Sequence, residues 1–439
     1  MDKEKVDKED PAYKKRRKRK ILIIVGVILL LIVAAVAFAY SYVQSKLGKI
    51  QSSEMNMDKV VVNEELETNK VIKGYTNIAL FGLDTRDEDL SRANSDAIII
   101  ASINNDTKEV KLVSIYRDTY LYIGGDLYRK ANAAYANGGA ERAVSTLNEN
   151  FDLKIQDYIS VDFNALAEIV DLLGGIELTV DEAESVHLNN YCVETSEVTG
   201  KSYEKLPGAG TYNMNGVQAT SYSRIRYTAG NDFKRTERQR EVIEKIVEKV
   251  KKADVGTLNK VMDGIFPMIR TSMTQAEMIS MGMGMLSYNI TETIGFPYDH
   301  KTGGKGGSGD DEVPQTLESN VVKLHEFLFG TEDYDPSARV KDLSQKIQKL
   351  TGVGPKVEST EKTSEKQSEK SSEKSSDKTT GYSTEDLAEE KTEDSSEQTT
   401  KESYSRDFGK SSKIGITAET ESETETESES ETETESETK

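Results

Sequence analysis

The 439-residue chain has a formal net charge of −20, spread unevenly: residues 356–439 hold 12 Lys/Arg against 25 Asp/Glu, and residues 1–20 hold 10 Lys/Arg against 5 Asp/Glu. The single cysteine, Cys192, excludes an intrachain disulfide and a thiolate metal site, and three scattered histidines (His187, His300, His325) argue against zinc. Any metal would then be a hard ion held by carboxylates, and the acidic balance speaks against a nucleic-acid partner.

The first predicted element is a membrane anchor. Lys14 to Lys20 is an unbroken basic run, and Ile21 to Tyr40 is uncharged and almost wholly apolar. At about 1.5 Å of rise per residue that stretch spans about 30 Å, the hydrocarbon thickness of a bilayer. Basic residues stay on the cytoplasmic side, so residues 1–20 are expected inside and everything after Tyr40 outside. The alternative is a signal peptide cleaved after Ala37-Phe38-Ala39; the length of the apolar run favours a retained anchor. An exported chain with one cysteine fits a bacterial, Gram-positive exterior.

Residues 41–74 read as a polar extracytoplasmic stalk, with the ordered domain over 75–352. Ile78–Leu83, Ala97–Ile103 and Val110–Ile115 are continuous apolar runs, and Asn104-Asn105-Asp106 turns the last two into a hairpin. Continuous apolar strands call for a sheet covered on both faces. Ala143, Leu147 and Phe151 share one helical face, as do Leu166, Ile169, Val170 and Leu173; Gly174-Gly175 stops that helix, and Ile176–Val180 reads as a strand. The pattern is α/β, with helices on both sides of a mixed sheet. Met278, Met281 and Met285 fit the packed face of a helix, a Met-rich wall of a lipid pocket being the alternative. Val340, Leu343, Ile347 and Leu350 predict a closing helix. From residue 353 the composition turns to Ser, Thr, Glu and Lys, with the tetrads TSEK, QSEK, SSEK and SSDK, which cannot bury enough apolar area to offset ordering entropy; a disordered tail is expected.

The stretch RIRYTAGNDFKRTERQR, residues 224–240, concentrates five arginines in this acidic chain. Val242, Ile246 and Val250 mark the buried stripe of a helix. One and two turns back along it lie Arg238 and Arg235, while Arg240 points away. Arg224 and Arg226 alternate with Ile225 and Tyr227, as on one side of a strand. Guanidinium forks beside a helix N-terminus suit a phosphate or pyrophosphate; salt bridges to Asp232 and Glu237 are the competing explanation. Asp84 in GLDTR closes one apolar strand and Asp96 in RANSD precedes the next, a placement that brings two carboxylates to one sheet edge as for magnesium, or simply two turn residues. In SIYRDT, Arg117 follows a third strand. No Ser-His-Asp or Cys-His arrangement is evident, so no covalent nucleophile is called for.

In order, GLDTR, RANSD, SIYRDT, KANAAY and RIRYTAGNDFKRTERQR resemble the LytR–CpsA–Psr family of bacterial cell-wall enzymes over about residues 75–250. The resemblance implies an α–β–α sandwich with an apolar pocket for a lipid tail. It implies a phosphotransferase that moves a glycopolymer, such as wall teichoic acid or capsule, from a polyprenyl pyrophosphate carrier to peptidoglycan. It implies that Asp84 and Asp96 organise Mg2+, that Arg117, Arg224, Arg226, Arg235 and Arg238 hold phosphate oxygens, and that Asp232 orients an arginine or assists deprotonation of the acceptor hydroxyl. Arg86, Arg92 and Gln239 fall within the matched motifs. Asn231 stands where relatives often carry a further acid. Hydrolysis of the pyrophosphate, or non-catalytic binding of wall polymer, remain the alternatives.

Overall fold

The computed structural model describes residues 11–52, 55–66, 70–85, 93–226, 231–304 and 309–355. Arg86, Arg92 and all but the first three residues of the predicted tail lie outside the described residues. A helix runs from Pro11 to Leu47, and its segment Val25–Leu47 is long and apolar enough to cross a membrane.

Residues 41–74 do not form a free stalk. Leu47 and Ile50 are buried, and Gln51–Ser52 pairs in parallel with Arg270–Thr271 at the edge of the main sheet. Met55, Val60, Leu66 and Ile72 then enter the largest core cluster. Their spacing follows neither the helical nor the strand period, so a periodicity reading passes them by.

The main sheet has seven strands in the order Gln51–Ser52, Arg270–Thr271, Ile155–Asp162, Tyr75–Asp84, Asn94–Asn104, Glu109–Ile115, Asn289–Phe296. Its pairings are mixed: Tyr75–Asp84 is parallel to Ile155–Asp162 and antiparallel to Asn94–Asn104. The predicted hairpin is present, and the Asn104 side chain closes its turn by accepting from the Asp106 and Thr107 amides. Strand alternation explains the continuous apolar runs. Ala79, Phe81, Leu83, Ile98 and Ile100 face one core together with Val144, Leu147, Leu324 and Leu343. These belong to the helices Gly139–Phe151, Leu317–Phe329 and Ala338–Thr351, the last being the predicted closing helix. Ile78, Ile99 and Leu112 face the other side, where the helices Phe163–Leu172, Asn231–Lys252, Val255–Ile265 and Gln275–Gly284 lie.

Gly174 and Gly175 stop the helix Phe163–Leu172 with φ of 76° and 85°. The strand that follows, Ile176–Val180, pairs with Gly210–Met214 in a separate ribbon and packs with the helices Glu182–Thr199 and Gly216–Arg224 in its own cluster. Met278 and Met281 pack against the second face of the sheet, and Met283 is 79% exposed.

On the first face of the sheet, one carboxylate joins both ends of the domain. Asp152, fully buried, accepts from the Asn63 side chain at 2.5 Å, from the Ser337 amide at 2.7 Å and hydroxyl at 2.6 Å, and from the Tyr334 hydroxyl at 3.2 Å. Beside it His325 stacks on Tyr334 at 3.6 Å and its Nε2 bonds the Phe151 carbonyl at 2.9 Å. Burial drives the His325 pKa down to about 4, so the ring is neutral.

Candidate active site

Between the sheet and the helices of its second face lies a cavity of about 440 Å³. Its walls divide into two chemistries. Leu80, Ile99, Ile159, Leu166, Ile169, Val242, Ile243, Ile246, Ile265 and Ile269 line an apolar body, and Asp84, Asp96, Arg117, Arg224, Arg226, Arg235 and Gln239 line a charged end. By sequence pattern Leu166, Ile169, Val242 and Ile246 belong to the buried faces of their helices. Their apolar periodicity was correct, but periodicity does not distinguish a packed face from one that walls a void.

Each polar group is set in place by a local feature. Asp84 ends the central strand and is exposed. Asp96 occupies a bulge: Gly82 opposes Ala97 and Leu83 opposes Ser95, so Asp96 is the extra residue of its strand. Such a bulge re-aims a side chain and frees a carbonyl from the ladder. Arg235 Nη2 donates to that Asp96 carbonyl at 3.4 Å. The Asp96 carboxylate accepts from Arg117 at 2.9 Å and from Arg226 at 3.3 Å. Gly82 fits here because a Cβ on it would lie 2.9 Å from the Ala97 Cβ.

Arg224 and Arg226 do not share a strand. Arg224 closes the helix Gly216–Arg224, and Arg226 follows two residues later, outside any helix or strand. Both still reach the cavity because Ile225 between them is fully buried and pins the segment. Arg224 is further held by Glu194 at 3.0 Å and the Thr195 hydroxyl at 2.9 Å, with its guanidinium 4.7 Å from the Phe163 ring centre. Glu194, Thr195 and Phe163 had no signal in the sequence, since each touches Arg224 only through tertiary packing.

Asp232, in the first turn of the helix Asn231–Lys252, sits behind the arginines. Arg235 lies 2.9 Å from it, Arg226 3.9 Å and Arg117 4.0 Å. Burial pushes the Asp232 pKa up, against the pull of Arg235, and Asp118 adds to the rise. Burial also pulls the Arg235 pKa down to about 10; Asp232 opposes the fall, and Arg226 and Arg117 add to it. For Arg117 burial is outweighed by Asp96 and Asp118, and its pKa rises. Arg235 Nε has no hydrogen-bond partner among the described residues, and Arg117 Nε has only ion-pair contacts, with the Asp118 carboxylate at 3.4 Å and Asp232 at 4.0 Å. An anion at this end would satisfy such donors and offset the desolvated positive charge.

Arg238 does not belong to this group. Its Nε and Nη2 donate to Glu184 Oε1 at 3.0 and 2.7 Å and its Nη1 to the Ile225 carbonyl at 3.1 Å, all away from the cavity. The turn-by-turn extension from Val242 was too coarse: Arg235 and Arg238 lie only about 60° apart around the helix, and Arg238 leaves the cavity because Glu184 and the Ile225 carbonyl draw its guanidinium to the other side. Arg240 faces away from the cavity, as expected, yet it is buried and not in solvent.

The sequence pattern of the LytR_cpsA_psr family matches residues 37–306. A polyisoprenyl-teichoic acid–peptidoglycan teichoic acid transferase, TagU, of Enterococcus faecalis is 36% identical over 203 residues, covering 46% of this chain and 62% of that protein. Biofilm regulatory protein A of Streptococcus mutans is 32% identical over 209 residues, covering 45% of this chain and 49% of that protein. The chain thus spans about half to three-fifths of the length of these two curated relatives. The crystal structure of the Streptococcus agalactiae protein gbs0355 has the same fold, with a TM-score of 0.51 and 23% identity over 62% of this chain and 94% of that one. The match covers more than half of the sequence, and the chain belongs to the LytR_cpsA_psr family.

Proposed function

We propose that this protein is a membrane-anchored phosphotransferase, its N-terminus cytoplasmic and its catalytic domain outside, that moves an anionic glycopolymer from a polyprenyl pyrophosphate carrier to a peptidoglycan hydroxyl. The carrying observation is the division of one cavity into an apolar body and an arginine-lined end, which fits an amphiphile with a phosphate head and an isoprenoid tail. The teichoic acid transferase named above supplies the substrate class.

In this reading Arg117, Arg224, Arg226 and Arg235 hold the pyrophosphate oxygens and neutralise the charge that develops during transfer. The acceptor oxygen attacks the phosphorus next to the glycopolymer. The bond from that phosphorus to the bridging oxygen breaks, polyprenyl phosphate leaves and takes up the acceptor proton on its oxygen, and Asp232, paired with Arg235, holds that arginine in place. Gln239 completes the charged end. Asp84 and Asp96 offer the hard oxygen donors that magnesium prefers, and when bound the ion neutralises phosphate charge and polarises the bond that breaks. Among the described residues no three His, Cys, Asp or Glu side chains form a metal-binding group, so phosphate and water oxygens would complete its shell.

The test gives the purified full chain a labelled saccharide on polyprenyl pyrophosphate and a peptidoglycan oligomer, with and without magnesium, and weighs the products. A magnesium-dependent product joining saccharide, one phosphate and glycan is expected. Free saccharide phosphate alone would move the assignment to hydrolysis, and bound donor without turnover to a wall-polymer binding protein.

A further inference from the structure

The way the N-terminal helix meets the domain fixes where the bilayer lies. The helix Pro11–Leu47 runs alongside the helix Val255–Ile265 in the same direction. Tyr42 donates to Asn259, and Lys46, one turn later, bonds Asp263, also one turn later, at 2.7 Å. Lys49 adds a second bond to Asp263 at 2.6 Å. Beyond the helix, the Gln51 amide donates to the Ile269 carbonyl at 3.1 Å, and its side chain to the Pro267 carbonyl at 2.9 Å.

Both contacts between the two helices share one offset, 42 with 259 and 46 with 263. One turn further back, Phe38 is level with Val255. Phe38 lies inside the apolar segment Val25–Leu47. Val255 is 83% exposed, which is unfavourable in water for a large aliphatic side chain and ordinary at a membrane surface. Two more large apolar side chains are exposed nearby, Met283 at 79% and Leu286 at 72%. They belong to this edge because Lys251, just before Val255, donates to the carbonyl of Tyr288, just after Leu286. Residues 249–260 hold four lysines (Lys249, Lys251, Lys252 and Lys260) against one acid, Asp254, in a chain of net charge −20.

We propose that the edge bearing Val255, Met283 and Leu286 rests in the headgroup region of the bilayer that the N-terminal helix crosses, with Lys249, Lys252 and Lys260 on anionic phospholipid. The domain is then seated on its membrane, not held off it. Ile265 and Ile269, which wall the apolar body of the cavity, lie on the segment clamped by Lys46, Lys49 and Gln51. On the functional reading above, a polyprenyl tail would therefore pass from bilayer to cavity beside the anchor without crossing water.

The chain contains no tryptophan, so one introduced indole reports its own surroundings without background. The full chain, reconstituted in phosphatidylcholine–phosphatidylglycerol vesicles, would carry Val255→Trp, Leu286→Trp, Phe38→Trp within the span, or Leu127→Trp at an exposed position of the hairpin Tyr120–Lys130. Lipids brominated near the head of the acyl chain quench only indoles at that depth. Quenching of about twofold or more is expected at positions 255 and 286 and at 38, with none at 127, as for side chains buried about 5–10 Å into the interface. Quenching at 38 with none at 255 and 286 would overturn the seated edge and leave the anchor and the proposed reaction standing. No quenching at 38 would remove the anchor and the proposal with it. Equal quenching at 127 and 255 would show general adsorption and overturn the proposal as well. None of these outcomes depends on turnover.

Discussion

Two groups of buried charge lie within one helical turn of each other and are built differently. On the cavity side, Arg117, Arg226 and Arg235 share Asp96 and Asp232 across contacts of 2.9 to 4.0 Å, some too long for a hydrogen bond. On the far side, Arg238 holds Glu184 with two donors at 2.7 and 3.0 Å. Glu184 is itself committed, since its other oxygen accepts from the Asp181 amide at 3.0 Å in a capping box. Arg235 and Arg238 are 2% and 1% exposed, so burial does not tell them apart. What separates them is how fully their donors are satisfied. A site that accepts an anion needs donors left over, as Arg235 Nε is; the converse does not hold, since Arg240 Nε and Nη1 are also without a partner among the described residues although Arg240 faces away from the cavity.

The strongest test of that contrast is on the scaffold side. Glu184→Leu strands a buried guanidinium and should lower unfolding free energy by about 3–5 kcal/mol in urea melts. The double variant Glu184→Leu/Arg238→Met should recover most of the loss and keep wild-type transfer; a folded but inactive double variant would put Arg238 back in the site. On the cavity side, Arg226→Ala should lower kcat/KM by about 10²–10³-fold with an unchanged melting temperature, as for loss of one preorganised donor. A loss of stability in place of turnover would erase the distinction.

The scaffold pole should also carry its own pH signature. The His325 pKa falls from 6.5 in the unfolded chain to about 4 in the folded one, so its contribution is full above about 6.5 and is lost as pH drops toward 4. Stability should fall by about 3 kcal/mol across that window, and His325→Gln should flatten the difference seen in melts at successive pH values. The smallest effect is expected from Ser337→Ala, which removes a helix N-cap and one bond to Asp152 and should cost about 1–2 kcal/mol, with transfer untouched.

Much of the site was legible because its residues follow strands and a helix start, places where sequence pattern is strong. Asp84, Asp96, Arg117, Arg224, Arg226, Arg235 and Gln239 meet in one cavity as their motifs implied. The errors have distinct physical causes. Arg224 and Arg226 looked like alternate residues of a strand because a helix ending followed by irregular chain also leaves two arginines about one buried isoleucine. Arg238 was placed by counting turns, which cannot see Glu184 some fifty residues away. Residues 41–74 looked like a stalk because their buried side chains come singly. The bulge that frees the Asp96 carbonyl has no signature in one strand, since it is a property of the pairing.

The Asp152 carboxylate has a mechanical meaning as well. It receives Asn63 from the segment leading out of the membrane helix and Ser337 from the start of the closing helix, after which the chain continues toward residue 439. Because both are fastened to one buried group, loss of the Asp152 carboxylate would release the segment around Asn63 and the start of the closing helix together.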